Sequence, residues 1–409
     1  MTSLSQSDES QCCAQYHVFS VVYLLANPLE LLGRPASGYS WYVQSNGTLV
    51  LEDISAKISS AISEEVNKAD KKTGKGIAEC VRNASATNPI LKEHSEIAKS
   101  FIENYERMNH LGGQDDPSKG KSLRGLEEHW GCEGEFMLNW KGRGYTTILD
   151  VLLNKYPDPS KAVPLQILLN KEVENIRWGS RRSSQPGLDA MNPLVQVKCK
   201  DGSLFIAKSV IVTVSIGVLQ ERHTQLFNPP LPANKVSTIN SLQLAVLDKI
   251  YIEFTKPWWP KTPCSFVILW RDEDKAQFTQ DEKWITDVFA LDTVPHQPNL
   301  LLAWIYGKGA EEMEHVSLAG IHAGVNKSQW ASNPLARGAY AYRSVATEQN
   351  GGEGAILLSE PLYHGDEFPV VCFAGEATSH HRHSAVHGAV ESGFREAERL
   401  IKSFKKFGV

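Results

Sequence analysis

No part of this 409-residue chain is strongly basic. Lys and Arg occur at most in pairs such as Lys71-Lys72 and Lys405-Lys406, and the formal net charge is −5, so nothing supplies the field that nucleic acid requires. A nucleic-acid partner is not expected. Cysteine is also sparse: seven residues, none in a C-x-x-C spacing, and an odd number, which fits buried or idle thiols in a reducing compartment better than a disulfide framework. No long apolar run survives inspection. The most apolar N-terminal stretch, "VFSVVYLLANPLELLG", is interrupted by Pro28 and Glu30, and Asp8 and Glu9 stand where a signal peptide would carry positive charge. It reads as core, neither leader nor membrane span. The C-terminal "KKFGV" is no peroxisomal tripeptide, so the expected compartment is the cytoplasm and no membrane partner is expected. Repeats and low-complexity segments are absent too. What remains is ordinary globular composition, 42% apolar and 22% charged, at a length that suits two domains.

Leu51, Ile54, Ile58, Ile62 and Val66 recur at helical spacing, as do Leu91, His94, Ala98, Phe101, Tyr105 and Met108. Two amphipathic helices are predicted. Between them and the next pattern lies the polar loop "GGQDDPSKGKS". Its Gly120-Lys121-Ser122 is no phosphate loop, because position 115 is Asp where a glycine is needed and a helix stands where a strand should precede. In "WKGRGYTTILDVLLNKY" the threonines are placed to cap a helix bearing Ile148, Leu149, Leu152 and Leu153. Strands follow. "VQVKCKDGSLFIA" alternates around an Asp-Gly turn, a strong hairpin signal. "SVIVTVSIG" is apolar on both faces, as a strand buried in a parallel sheet should be. "DKIYIEF" puts Ile250, Ile252 and Phe254 on one face and Lys249, Tyr251 and Glu253 on the other, so Lys249 faces either a cleft or water.

The richest stretch is "VCFAGEATSHHRHSAVHGAVESGFREAERL", Val371 to Leu400. It predicts a short strand, a Gly-Glu turn, a histidine-dense loop and a helix with an apolar stripe of Val386, Ala389, Val390, Gly393, Ala397, Leu400 and Ile401. Ligands of open α/β sheets lie beyond the C-terminal strand ends, where helix N-termini offer unpaired N–H groups. The Glu376 carboxylate at such a strand end suits a chain of hydroxyls, while the small residues at the helix start admit a flat ligand. The plainer alternative, a terminal helix on a sheet with Glu376 as its cap, fits the pattern equally well. His383 and His387 stand four apart, a spacing compatible with a metal, yet no carboxylate or thiol completes a set beside His380 and His381, so no metal is expected.

That stretch resembles the C-terminal flavin-binding signature of the flavin-dependent amine oxidases, in their polyamine (spermine and acetylpolyamine) oxidase branch. "LLNKEVENIRW", "SVIVTVSIGVLQERHTQLFNPPLPANKVSTINSL", "DKIYIEFTKPWWP", "LLLAWIYGKGAEEME" and "QWASNPLARGAYAYRSV" resemble further segments of that family in family order, from about Val18 onward. The resemblance implies an α/β fold, an FAD-binding (Rossmann-like) domain interleaved with an α+β substrate domain on a mixed sheet. Residues 16–140 and 246–365 would form the substrate domain, and 141–245 and 366–409 what is present of the FAD-binding domain. It implies non-covalent FAD as cofactor, a monoamine oxidase being disfavoured because "NPLARGAYAYRSV" lacks a cysteine for covalent flavin. It also implies roles. Glu376 would hold the ribityl or phosphate region, Ala385 and Val386 would offer backbone to the isoalloxazine, and Val173 would meet the adenine through its main chain. Lys249 would hold a water beside flavin N5. Trp304 and Trp330 would stand near flavin and substrate, and His383 takes the place of a family tyrosine in the substrate cage, a smaller and chargeable wall less welcoming to a cationic polyamine.

One part of the pattern is missing. The family fold opens with a strand and a Gly-x-Gly-x-x-Gly turn, and none of Gly74-Lys75-Gly76, Gly142-Arg143-Gly144 or Gly352-Glu353-Gly354 fits it. A second gap follows "AGIHAGV", and the fold is expected to be N-terminally incomplete. Two functional expectations follow. The first is FAD-dependent oxidation of polyamines (spermine, spermidine or acetylated forms) by oxygen to an aldehyde, a shorter amine and hydrogen peroxide, impaired in this chain. The second is a flavin-free, inactive relative that serves as a binding or interaction protein.

Overall fold

The computed structural model describes residues 20–34, 38–112, 116–134, 138–179, 195–317, 324–352, 354–364 and 368–408. Asp8, Glu9, the Cys12-Cys13 pair and most of "AGIHAGV" lie outside them. The chain divides into two compact units, residues 1–35, 129–240 and 353–409 in one and residues 36–128 and 241–352 in the other. These divisions fall at different places from the expected boundaries near 140, 245 and 365. The helix Val21–Ala26 groups with the C-terminal segment because Val21, Val22 and Ala26 pack with Trp140, Ile148 and Val390.

The unit of residues 36–128 and 241–352 is built on a six-stranded mixed sheet. Its order is Tyr39–Gln44, Cys264–Leu269, Val288–Val294, Gln297–Tyr306, Leu247–Glu253 and Val325–Lys327. Only the first pair runs parallel. "DKIYIEF" alternates as its sequence requires: Ile250 packs with Val288, Ala303 and Ile305. The first amphipathic pattern forms the helix Glu52–Lys68, with Ile58, Ile62 and Val66 buried. The second does not form one helix. It breaks at His94 into Pro89–Glu93 and Ser95–Met108, because the Asn88 side chain accepts the amides of Ile90 and Leu91 and starts a turn at Pro89 that closes at His94. The helix Ile77–Thr87, which the sequence reading passed over, packs Val81 and Ala84 into the same core as Phe101.

The other unit has two small sheets. Leu204–Ala207, Val195–Cys199, Val173–Trp178 and Phe227–Asn228 form one. Its hairpin turns at Asp201-Gly202, where Gly202 takes a φ of 87°, as the Asp-Gly signal demands. The second sheet orders Leu362–His364, Phe368–Phe373 and Val210–Val212. "SVIVTVSIG" and "VVCFAGE" therefore pair in parallel, Val210 opposite Val371 and Val212 opposite Phe373. Burial separates the two strands. Every residue of Phe368–Phe373 is buried, whereas Val210 and Ile211 are half-buried. The expected two-sided burial fails at Val210–Val212 because, among the described residues, the strand has one neighbour. The threonine cap also differs: Thr146 occupies the N-cap of Thr147–Leu152 without accepting a bond there, and the Thr147 hydroxyl donates to the Gly144 carbonyl instead.

The terminal helix Val386–Phe407 corrects one further expectation. Its fully buried line is Gly388, Ser392 and Glu396, not the apolar stripe, of which Val386 and Ile401 are exposed. The reason is polar. Ser392 accepts the amide of Gly375, and Glu396, fully buried, pairs with Arg395 and Arg399, so hydrogen bonds rather than aliphatic packing fix the helix rotation. Among the described residues no helix is long and apolar enough to cross a membrane.

Candidate functional site

Residues singled out from the sequence fall in both units. In the unit holding the terminal helix, the chain leaves Phe373 through Gly375, at φ 121°, into a single turn Glu376–Thr378. Arg395 ties that turn to the helix: its guanidinium donates to the carbonyls of Phe373 (2.9 Å) and Thr378 (3.0 Å). The Glu376 Oε2 accepts the amide of Ser384 at 2.5 Å, just ahead of the helix. Ala385 is the N-cap and its side chain makes no capping bond, so the first amides of a 22-residue helix, Val386 among them, are left to other acceptors. The loop between packs tightly. A Cβ on Gly388 would lie 2.0 Å from the Arg382 carbonyl oxygen, which makes glycine obligatory there.

The histidine loop is held from a distance in sequence that no spacing rule spans. Trp130 stacks on His381 with centroids 3.4 Å apart and donates its amide to the His381 carbonyl. The His129 ring meets His383 edge-on, and its Nε2 lies 3.2 Å from the His383 carbonyl. Arg382, buried, donates to Cys132 Sγ and lies 3.5 Å from Glu391. His383 is thus buried against His129. Burial first, then Arg382 and His129, hold the His387 imidazole near pKa 4, a neutral ring. Among the described residues no three His, Cys, Asp or Glu side chains group as a metal site. Val173 opens the strand Val173–Trp178 opposite Cys199, and its carbonyl accepts from Arg222.

In the six-stranded sheet, Lys249 stands directly opposite Trp304, and its ammonium lies 4.7 Å from the centre of the indole. Trp304 is oriented in turn by Asp292, which accepts from its Nε1 at 2.8 Å. Burial lowers the Lys249 pKa from the usual lysine range. Ser328 locks the Lys249 backbone from both sides, its Oγ accepting the Lys249 amide and its amide donating to the Lys249 carbonyl, each at 2.9 Å. Trp330 follows two residues later, 45% exposed. The structure therefore joins Lys249 to Trp304 and sets Trp330 on the adjoining segment. Sequence reasoning missed Ser328, Asp248, Asp292 and His129; only Asp248, an acid inside an alternating strand, left a readable signal.

The sequence profile described as flavin containing amine oxidoreductase matches residues 90–401, a span that includes Lys249, Trp304, Trp330 and Glu376. The chain belongs to the flavin containing amine oxidoreductase family. Curated members of this family with similar sequences include the peroxisomal N(1)-acetyl-spermine/spermidine oxidase of Homo sapiens, 31% identical over 63% of this chain and 54% of the relative. The probable polyamine oxidase 5 of Arabidopsis thaliana is 29% identical over 64% of this chain and 55% of its own length. The chain spans about half the length of the curated relatives it matches. A solved putrescine oxidase with putrescine bound superposes with a TM-score of 0.59 over 93% of this chain and 85% of the other, at 15% identity, which shows a shared fold. The fold is accordingly the α/β fold of this amine oxidoreductase family, and the cofactor that family membership assigns is FAD. The Glu376 turn and the uncapped start of Val386–Phe407 fit it: a carboxylate for hydroxyls and N–H groups for electron-rich atoms stand within one loop of each other.

Proposed function

We propose that this chain is built for the FAD-dependent oxidation of a polyamine such as spermine, spermidine or an acetylated form, by oxygen. When bound, FAD would supply the two-electron oxidation of the carbon beside a secondary amine, with oxygen reduced to hydrogen peroxide. The imine that leaves hydrolyses to an aldehyde and a shorter amine. Glu376 would accept hydroxyl donors of the cofactor, the Ala385–Val386 backbone would face the isoalloxazine and the Val173 main chain the adenine, and Lys249 would hold a water by hydrogen bond. Trp304 and Trp330 present aromatic faces that attract an alkylammonium. His383 acts as a wall rather than a charge when its imidazole is neutral.

The observation that carries this reading is the Lys249–Trp304 pair. An ammonium held over an indole in the middle of a sheet has a fixed position and weakened hydration, which suits a group that orders a water. The test is the Lys249→Met variant, which keeps side-chain volume and loses the charge. It is expected to retain flavin and to turn over at least tenfold more slowly; equal turnover removes Lys249 from the mechanism.

A second reading, a flavin-free binding or interaction protein, is favoured by one feature: no Gly-x-Gly-x-x-Gly turn occurs in this sequence to meet the pyrophosphate. An absorbance spectrum of the purified chain separates the two. On the second reading it shows little flavin and no bleaching when spermine is added anaerobically, whereas a stoichiometric yellow protein bleached by spermine refutes it.

A further inference from the structure

Asp248 precedes Lys249 and, by strand alternation, leaves the sheet on the opposite face. It is fully buried. Its Oδ1 accepts the Ser328 hydroxyl at 2.5 Å and, more weakly, the Trp330 amide at 3.4 Å. Its Oδ2 is buried and meets no hydrogen-bond donor among the described residues. A second carboxyl group, that of Glu314 in the last turn of Lys308–His315, binds the same turn of backbone and interacts with Asp248. Glu314 is also buried, and each of its oxygens takes a backbone amide: Oε1 that of Ala331 at 2.7 Å, Oε2 that of Ser332 at 2.6 Å.

Two carboxylates close together away from water repel, and among the described residues the cation drawn to both is Lys327. Its hydrogens are already engaged: the ammonium donates to the carbonyls of Met313, Glu314 and Val316 at 2.6 to 2.8 Å and so closes the end of that helix. Glu311 adds a further negative charge, and Lys249 points from the other face. One proton resolves the contact into an O–H···O⁻ bond. The amides fix where it sits: two N–H bonds stabilise Glu314 as the anion, while the unpartnered Oδ2 of Asp248 gains from protonation.

We propose that Asp248 and Glu314 share a single proton, carried on Asp248 Oδ2, and that this pair is a positioning device holding the Gln329–Ser332 turn, with Trp330, in register on the Lys249 strand. Its significance for amine oxidation rests on the functional reading above; its existence does not. Trp330, its side chain nearly half exposed, is fixed through its backbone, by Asp248 on one side and by the Gly338 amide, which donates to its carbonyl at 2.9 Å, on the other. The pH dependence follows from the same groups. Burial, then the Glu314 carboxyl, raises the Asp248 pKa from 3.8 to about 6, while Glu314 is held below its ordinary value. The folded state thus binds this proton more tightly than the unfolded chain. The contribution is full below 3.8 and is lost as pH rises through about 6.

Two isosteric variants of the full chain test it. Asp248→Asn carries a permanent N–H donor toward Glu314, mimicking the protonated acid. Glu314→Gln has one acceptor oxygen for two amides. The expected infrared difference spectrum between about pH 5 and about pH 8 shows the carbonyl band of a protonated carboxylic acid, absent from Asp248→Asn. Hydrogen exchange at Trp330–Ser332, corrected for intrinsic rates, is expected to be about tenfold faster at the higher pH in the parent, slow at both in Asp248→Asn and fast at both in Glu314→Gln. A band that persists in Asp248→Asn, or exchange in that variant as fast at both values as the parent at high pH, overturns the proposal, and Asp248→Asn alone decides if Glu314→Gln does not fold. Neither readout involves flavin or amine. A chain that shows both signatures but whose flavin is never reduced by spermine fails the functional reading alone.

Discussion

Replacing Gly388 by alanine puts two opposing effects in the same helix. In an exposed helix interior the exchange would stabilise by about 1 kcal/mol, since glycine is the poorer helix former. At Gly388 the new methyl would lie 2.0 Å from the Arg382 carbonyl oxygen, 2.8 Å from its carbonyl carbon and 3.1 Å from the Ser379 Cβ. The first neighbour is backbone and must withdraw by more than about 1 Å to reach van der Waals contact. Arg382 is not at liberty to do so. Its amide donates to Ser379 Oγ, its guanidinium to Cys132, and the adjacent His381 is stacked under Trp130. Giving up two or three such bonds, each worth about 1 kcal/mol net, outweighs the gain in propensity and leaves a loss of roughly 1–2 kcal/mol. Gly393, five residues on, meets nothing within 4 Å and serves as the internal control. Urea unfolding of the two variants is the assay. Gly388→Ala is expected to lower the midpoint and Gly393→Ala to raise it; a Gly388→Ala chain as stable as the parent would refute the packing argument.

Lys235 is buried, and its ammonium donates to the carbonyls of Leu357, Leu358 and Glu360, so Lys235→Met strands three acceptors and should lower stability by about 2–4 kcal/mol in the same assay. Lys249 differs in sign. Its folded pKa is lowered by burial, a penalty on the charged form that is felt below that pKa and vanishes above the unfolded lysine value, so Lys249→Met should melt no lower than the parent at neutral pH, with any advantage shrinking in alkali. His110, bonded through Nδ1 to the Tyr340 hydroxyl, is held neutral to about pH 3 by burial and by Lys121. Its contribution is present above 6.5 and lost as pH falls toward about 3; His110→Asn, which tolerates the positive φ of 52° and keeps an acceptor, should flatten the acid limb of a melting-temperature profile.

Several elements were legible because local pattern and final environment agree. The Asp-Gly hairpin, the helix Glu52–Lys68 and the alternation around Lys249 each answer to one sheet or one core face. The parallel sheet expected for "SVIVTVSIG" is present, although hydrophobicity alone could not reveal that among the described residues this strand has a neighbour on one side only. The terminal helix misled for a related reason: Gly388, Ser392 and Glu396 are small or polar, so hydropathy ranks them as solvent-facing while their hydrogen bonds bury them. The Lys249 surroundings were half legible. Lys249 and Trp304 stand in recognisable strands, but Ser328 and Glu314 act on them through backbone amides and a carboxyl contact, interactions that have no periodicity. His129 and Trp130 lie some 250 positions before the rings they meet, and nothing in their own neighbourhood advertises it.

The pairing of Val210–Val212 with Phe368–Phe373 also orders events in time. Between these strands the chain passes through residues 241–352, all of which belong to the other unit. During synthesis those intervening residues emerge before Phe368–Phe373, so among the described residues Val210–Val212 waits for its parallel partner until that strand is made. The nascent chain therefore carries this apolar strand without that partner while residues 213–367 are translated. A ribosome that pauses within that interval keeps the strand apart from that neighbour for longer, the condition under which holdase binding and aggregation of incomplete chains are favoured.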